Sequence, residues 1–291
     1  MSACPTCSPN SETGVPALPR IALAQFDTKV GDKEHNFSRM KEYAEKAREQ
    51  GADLIIFPEL SLTGYVCRDL YYELAELIPG PTTHRMVDLA RSLGIYIIYG
   101  MVERSSASAS ILYNTAVLVG PEGLVGKYRK MHLPTHSVFE EKRYFRPGYD
   151  APVYETDVGR IGMMICYDIF FPEVARLLRI RGAELLVCIS ASPGVRRHFF
   201  EGFTVARAME NTAYLAYVNL VGIEDGLQFW GGSRLVSPTG SVIAQAKYDE
   251  EDMVVAEVDY GRAHRAGIFV PTLRDLRPEL YDMLGEEILY I

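Results

Sequence analysis

Arg160-Ile161-Gly162-Met163-Met164-Ile165-Cys166-Tyr167-Asp168-Ile169-Phe170-Phe171-Pro172-Glu173 changes its periodicity halfway along. The first half is short, apolar and partly β-branched, the pattern of a buried strand. From Pro172 to Arg181 the apolar residues recur at helical spacing, and Pro172 holds the favoured first-turn position. Cys166 therefore sits where a strand stops and the chain turns towards a helix. A thiol at such a corner projects from a rigid support, and backbone N–H groups of the turn can face an oxyanion. A free cysteine is most often a small buried hydrophobe. Its place at a strand end, where sites gather, makes Cys166 a candidate nucleophile if the rest of the chain supplies partners.

Outward from this corner, strands and helices alternate twice. Ile21–Phe26, Asp53–Glu59, 95–102 and 115–119 read as strands on the N-terminal side, with helices over 36–50 and 83–93. On the C-terminal side, 185–190 and 214–219 read as strands around a helix over 199–211. Hairpin strands follow at 232–236, 242–246 and 254–258. This is an α/β layer pattern. Residues 1–19, rich in Ser, Pro, Thr and Gly, read as a flexible tail. One domain is expected over 20–260, with a C-terminal extension over 261–291.

Composition narrows the partners. With net charge −8 and pI near 5.4, nucleic acid and anionic membrane surfaces are disfavoured. No apolar run has the length of a membrane span. The tail lacks the pattern of a secretory signal, and five cysteines suit a reducing cytoplasm better than a disulfide framework. Cys4 and Cys7 form a lone Cys-x-x-Cys with no second pair to complete a zinc site, so no metal is expected.

Two further strand ends break polarity as Cys166 does. Glu59 closes the second strand in Phe57-Pro58-Glu59-Leu60, and Lys130 lies in Lys127-Tyr128-Arg129-Lys130-Met131-His132-Leu133. Alone, Glu59 reads more readily as a turn cap than as a catalytic group, and Lys130 as part of a solvated basic run. Together with Cys166 they form a chemically complete set. A thiol with an ordinary pKa of about 8.5 is mostly protonated at neutral pH and needs a base or a cation. A carboxylate in reach takes the proton, and an ammonium stabilises first the thiolate and then a tetrahedral oxyanion.

With their flanking residues these pieces resemble the nitrilase, or carbon–nitrogen hydrolase, superfamily. The resemblance runs through Pro58-Glu59-Leu60 to Gly64-Tyr65, Tyr128 to Leu133, Glu141-Lys142-Arg143-Tyr144-Phe145 and Ile165 to Glu173. It continues through Ala206-Arg207-Ala208 and Gly231-Gly232-Ser233. It implies a four-layer α-β-β-α sandwich and a Glu-Lys-Cys set with Glu59 as general base, Lys130 as oxyanion stabiliser and Cys166 as nucleophile. A second family carboxylate falls on Glu141, with its neighbour Glu140 the competing assignment. The Tyr167 N–H is a second oxyanion donor. No metal or organic cofactor is implied. Homodimers or larger homo-oligomers are, with 261–291 as a segment that crosses between subunits.

Tyr167-Asp168 after the cysteine is similar to the amidase-type branches, whereas nitrile-cleaving members commonly carry Trp-Glu there. The stretches 138–145 and 218–222 are similar to the glutaminase domain of glutamine-dependent NAD synthetases. The expected activity is thus hydrolysis of a small-molecule amide with release of ammonia or an amine. Nitrile or N-carbamoyl substrates are the first alternative and a free-standing glutaminase subunit the second. Tyr65, Tyr167, Phe170, Phe171, Ser192 and Trp230 flank the motifs and are candidates for the substrate wall. Arg196 or Arg197 is a candidate partner for a substrate carboxylate. A papain-like pairing of Cys166 with His132 or His136 is disfavoured, because the cysteine lies on an interior strand end.

Overall fold

In the computed structural model, which describes residues 18–289, the strands form two six-stranded sheets. Cys4, Cys7 and nearly all of the tail lie outside the described residues. The chain begins with β1 (Arg20–Gln25), β2 (Leu54–Ile56), β3 (Tyr96–Arg104), β4 (Leu112–Gly120) and β5 (Gly123–Arg129). It continues with β6 (Val153–Thr156), β7 (Gly159–Ile165), β8 (Leu185–Ser190) and β9 (Tyr214–Asn219). The last strands are β10 (Val221–Glu224), β11 (Leu227–Trp230), β12 (Arg234–Val236), β13 (Val242–Gln245) and β14 (Asp252–Glu257). One sheet has the order β14-β1-β2-β3-β4-β5 and the other β13-β12-β9-β8-β7-β6, while β10 and β11 form a separate hairpin.

Alternation along the strands creates the layers, because successive side chains leave opposite faces of a sheet. Ile21 and Leu23 of β1 join Ile161, Met163, Leu185 and Val187 in one core. Ala22 and Ala24 instead meet Met40, Tyr43 and Ala44 of α1 (Lys33–Glu49). A one-turn α2 (Tyr71–Leu74) precedes α3 (Pro81–Leu93), which buries Met86, Leu89 and Ala90 on the same side. After a one-turn α4 (Glu141–Tyr144), helices α5 (Pro172–Ile180) and α6 (Arg197–Asn211) cover the second sheet through Val174, Ala175, Leu178, Phe200 and Ala208. The result is the expected α-β-β-α sandwich. Two helices close the chain, α7 (Tyr260–Phe269) and α8 (Pro278–Ile288), and α8 buries none of its side chains. Among the described residues no helix is long and apolar enough to cross a membrane.

Two expectations need correction. Residues 252–257 do not extend the β12–β13 hairpin; β14 leaves that sheet and pairs antiparallel with β1, Arg20 opposite Glu257. The Gln25 side chain fixes the transfer, its Nε2 donating to the carbonyls of Lys247 and Glu250 at 2.7 Å each. Its Oε1 accepts from the Ser233 N–H at 2.9 Å. The second strand also stops at Ile56, short of Glu59. Pro58 has no N–H for a ladder, and Leu60 takes a positive φ of 49° that turns the chain out of the sheet.

Candidate active site

The loop carrying Glu59 lies directly on β3, and a glycine makes that approach possible. A Cβ at Gly100 would stand 2.2 Å from the Leu60 nitrogen and 2.8 Å from the Pro58 carbonyl oxygen. Gly100 O accepts from Leu62 N at 3.1 Å, and Phe57 N donates to Ile98 O at 2.8 Å. Glu59 is thereby fully buried. Three donors hold its carboxylate. Asn114 Nδ2 and Lys130 Nζ each donate to Oε1 at 2.7 Å, and the Ala191 N–H donates to Oε2 at 2.7 Å.

Lys130 follows the last residue of β5 and is also fully buried. Its Nζ bridges two carboxylates, standing 2.7 Å from Glu59 Oε1 and 2.7 Å from Glu141 Oε1. Burial alone would lower the lysine pKa, but the two carboxylates outweigh it and hold the ammonium charged. Glu141, which opens α4, is the carboxylate that enters the cluster; Glu140 lies outside it, with an exposed side chain. Tyr65 OH donates to Glu141 Oε1 at 2.7 Å. Its other oxygen, Oε2, is buried and takes no hydrogen bond among the described residues. Two carboxylates sharing one ammonium leave a negative charge in excess. Burial first and Glu59 second push the Glu141 carboxyl up to about 7, with Lys130 opposing them.

Cys166 stands where β7 ends, at the head of a 3₁₀ turn over 166–170. Its φ is +46°, a left-handed conformation that costs a side-chain-bearing residue roughly 1–2 kcal/mol. Such strain concentrates at functional sites. Burial, then the Glu59 charge, push the thiol pKa upward, and Lys130 pulls against both. Glu59 and Lys130 thus bear on the thiol with opposite charges.

Asp168, two residues on, is fully buried and accepts four hydrogen bonds. Its Oδ2 takes Tyr128 OH at 2.8 Å and Ile165 N at 3.0 Å, and its Oδ1 takes His132 N and Nδ1 at 2.9 Å each. Neither its role nor that of Asn114 is marked in the sequence by more than a polar residue at an otherwise buried position.

A cavity of about 20 Å³ opens over Cys166, lined by Tyr167, Phe170, Ser192, Arg196, His136 and Phe139. That is room on the scale of one water molecule. The segment 134–140 also helps to line a wider cavity of about 680 Å³, to whose wall the largely buried Tyr65 and Glu141 also contribute. Ser192 is fixed through its N–H, which donates to Asn219 Oδ1 at 2.8 Å, while its hydroxyl is buried with no hydrogen-bond partner among the described residues. Phe171 does not line the cavity over Cys166; its ring stacks on His132 at 3.7 Å. Arg197 is drawn off as well, over the Tyr248 ring at 3.5 Å and 3.0 Å from Glu201.

Trp230 is the misplaced candidate. It is buried on β11, stacked between Tyr217 and Tyr248 with centroids at 5.8 and 5.9 Å, and lines neither of these cavities. Its large apolar face was satisfied by packing, which is the commoner fate of a core aromatic.

Residues 20–266 match the family model for carbon-nitrogen hydrolases. The chain is 36% identical over 268 residues to a nitrilase of Pyrococcus abyssi, across 90% of this chain and 98% of that one. It is also 36% identical over 253 residues to a glutamine-dependent NAD(+) synthetase of Aquifex aeolicus, covering 84% of this chain but 43% of that protein. Among solved structures, a variant of an amidase from Nesterenkonia sp. AN1 superposes with a TM-score of 0.81 at 29% identity, across 91% of this chain and 99% of that one. That variant holds acrylamide joined by Michael addition to its active-site cysteine.

Proposed function

The chain belongs to the carbon–nitrogen hydrolase family, and on that premise we propose that it hydrolyses a small-molecule primary amide through a thioester on Cys166. The Cys166 thiol gives its proton to Glu59 as Sγ bonds to the carbonyl carbon. The carbonyl oxygen becomes an oxyanion, stabilised by Lys130 Nζ and the Tyr167 N–H. Collapse breaks the C–N bond, and Glu59 returns the proton to the departing nitrogen. Water, activated by Glu59, then attacks the thioester and releases the acid. Three fixed donors on Glu59 support a constant geometry through these successive proton transfers.

One observation carries the choice of amide. The Oε2 oxygen of Glu141 is buried and takes no hydrogen bond among the described residues, so the ionised carboxyl offers an acceptor without a donor. A primary amide brings N–H groups to it, whereas a nitrile nitrogen brings none. Arg196 at the Cys166 cavity supports a second feature, a carboxylate at the far end of the substrate. Glutamine-like ω-amides carry both groups, which keeps the glutaminase reading as the alternative.

The test is ammonia release from a panel containing an aliphatic amide, glutamine, an N-carbamoyl amine and an aliphatic nitrile, with Cys166→Ala as control. Turnover concentrated on the amides supports the reading; faster conversion of the nitrile would replace it. The three described cysteines, Cys67, Cys166 and Cys188, are free, which supports a cytoplasmic setting. The exposed Leu280, Met283, Leu284 and Ile288 of α8 support a homo-oligomer in which the segment from 261 crosses to a second copy. Sedimentation of the chain with and without residues 278–291 tests that assembly.

A further inference from the structure

Tyr128 and His132 stand two residues to either side of Lys130, where the chain leaves β5 after Arg129. Asp168 accepts from the residues on both sides of the lysine, Tyr128 OH at 2.8 Å and His132 N and Nδ1 at 2.9 Å. The same carboxylate accepts from Ile165 N at 3.0 Å, immediately before the strained Cys166. The His132 ring closes over this junction, stacked on Phe171 at 3.7 Å with 9° between the planes. Phe171 in turn leads into α5. These bonds join the two sheets at the point where one delivers the ammonium and the other the thiol.

We propose that Asp168 is a positioning residue that fixes the separation and angle of Lys130 and Cys166 by bonding the backbone at one and both neighbours of the other. Burial makes the arrangement stiff. A fully buried carboxylate with four donors has no solvent to fall back on, so every bond resists displacement. Asp168 itself touches neither substrate nor thiol in the reaction, and it acts through the two groups it spaces. The inference rests on Cys166 as the nucleophile, but not on the identity of the substrate.

The experiment compares wild type with Asp168→Asn, whose amide nitrogen must face one of the four donors. Two readouts are taken. Alkylation of Cys166 by iodoacetamide across pH reports the thiol ionisation and needs no substrate. Steady-state kinetics on whichever panel amide is turned over separates kcat from KM. We expect kcat to fall roughly 10- to 100-fold with KM changed less than about threefold, the scale of a misplacement near 1 Å. The alkylation midpoint should rise by roughly one pH unit as Lys130 loses its hold on the thiolate. A residue that only stabilises the fold would make Cys166 more accessible at every pH and leave the midpoint in place. An unmoved midpoint, or a kcat within twofold of wild type, overturns the proposal. Should Asp168→Asn fail to fold, Tyr128→Phe removes a single hydroxyl from the same junction and must move the midpoint in the same direction. Turnover that survives in Cys166→Ala would instead refute the nucleophile assignment itself.

Discussion

Lys130 Nζ stands 2.7 Å from Glu59 Oε1, and both side chains are fully buried. Carboxylate and ammonium are thus one hydrogen-bonded unit. Taking both charges out of water costs several kcal/mol each, a cost that good geometry offsets only in part. A simpler core would be as stable without them. Their retention fits a catalytic use.

Glu59→Gln should remove turnover, with kcat lowered roughly 10²–10⁴-fold. All three groups around this carboxylate are donors, so the glutamine NH₂ must also face a donor wherever it turns. With Glu59 serving both half-reactions, as proposed, residual acylation should leave a thioester visible as a mass increase on the intact protein. Undiminished ammonia release from Glu59→Gln would end the mechanism.

Lys130→Met replaces the ammonium with an apolar chain of similar length and leaves Glu59 and Glu141 to face each other. Breaking a buried ion cluster in this way costs about 3–5 kcal/mol. The loss of stability, followed by urea unfolding, should be smaller in mild acid, where the Glu141 carboxyl takes up a proton in place of the missing cation. Activity should vanish at every pH.

The Glu141 carboxyl is raised from 4.5 to about 7, chiefly by burial. A carboxyl that binds its proton more tightly in the folded state adds stability in acid and loses that contribution as pH rises through its folded value. Relative to Glu141→Gln, the urea midpoint of wild type should therefore decline between about pH 4.5 and 7.5. A constant difference between the two proteins over that range would assign the proton elsewhere.

Trp230→Phe should lower stability by about 1–3 kcal/mol through lost packing between Tyr217 and Tyr248. Its kcat and KM on an amide should stay within about twofold of wild type. A marked rise in KM would return this residue to the substrate wall.

Much of this arrangement was legible in the sequence, and the reasons are local. The corner at Cys166 showed as a change of period, and Glu59 and Lys130 showed as charges where strands end. Asn114 did not, because one polar residue inside Leu112-Tyr113-Asn114-Thr115 looks like any outward-facing strand position until β5 covers it. Asp168 read only as a feature of one branch, since the partners that give it meaning lie on another sheet. The crossing of β14 was equally hidden. Alternation within 252–257 is the same whichever sheet receives it, and the choice is made by β1 and Gln25, at the opposite end of the chain.

That crossing bears on how the protein is made. Synthesis runs from the N-terminus, so β1 emerges first while its neighbour β14 is among the last strands to leave the ribosome. Until then β1 is bordered on one side only, by β2, and exposes a row of unpaired backbone groups that invites foreign strands. Pairings between such distant segments form slowly. The nascent chain therefore carries an open, apolar edge for most of its translation, and chaperone demand should drop only once residues near 257 are free to close it.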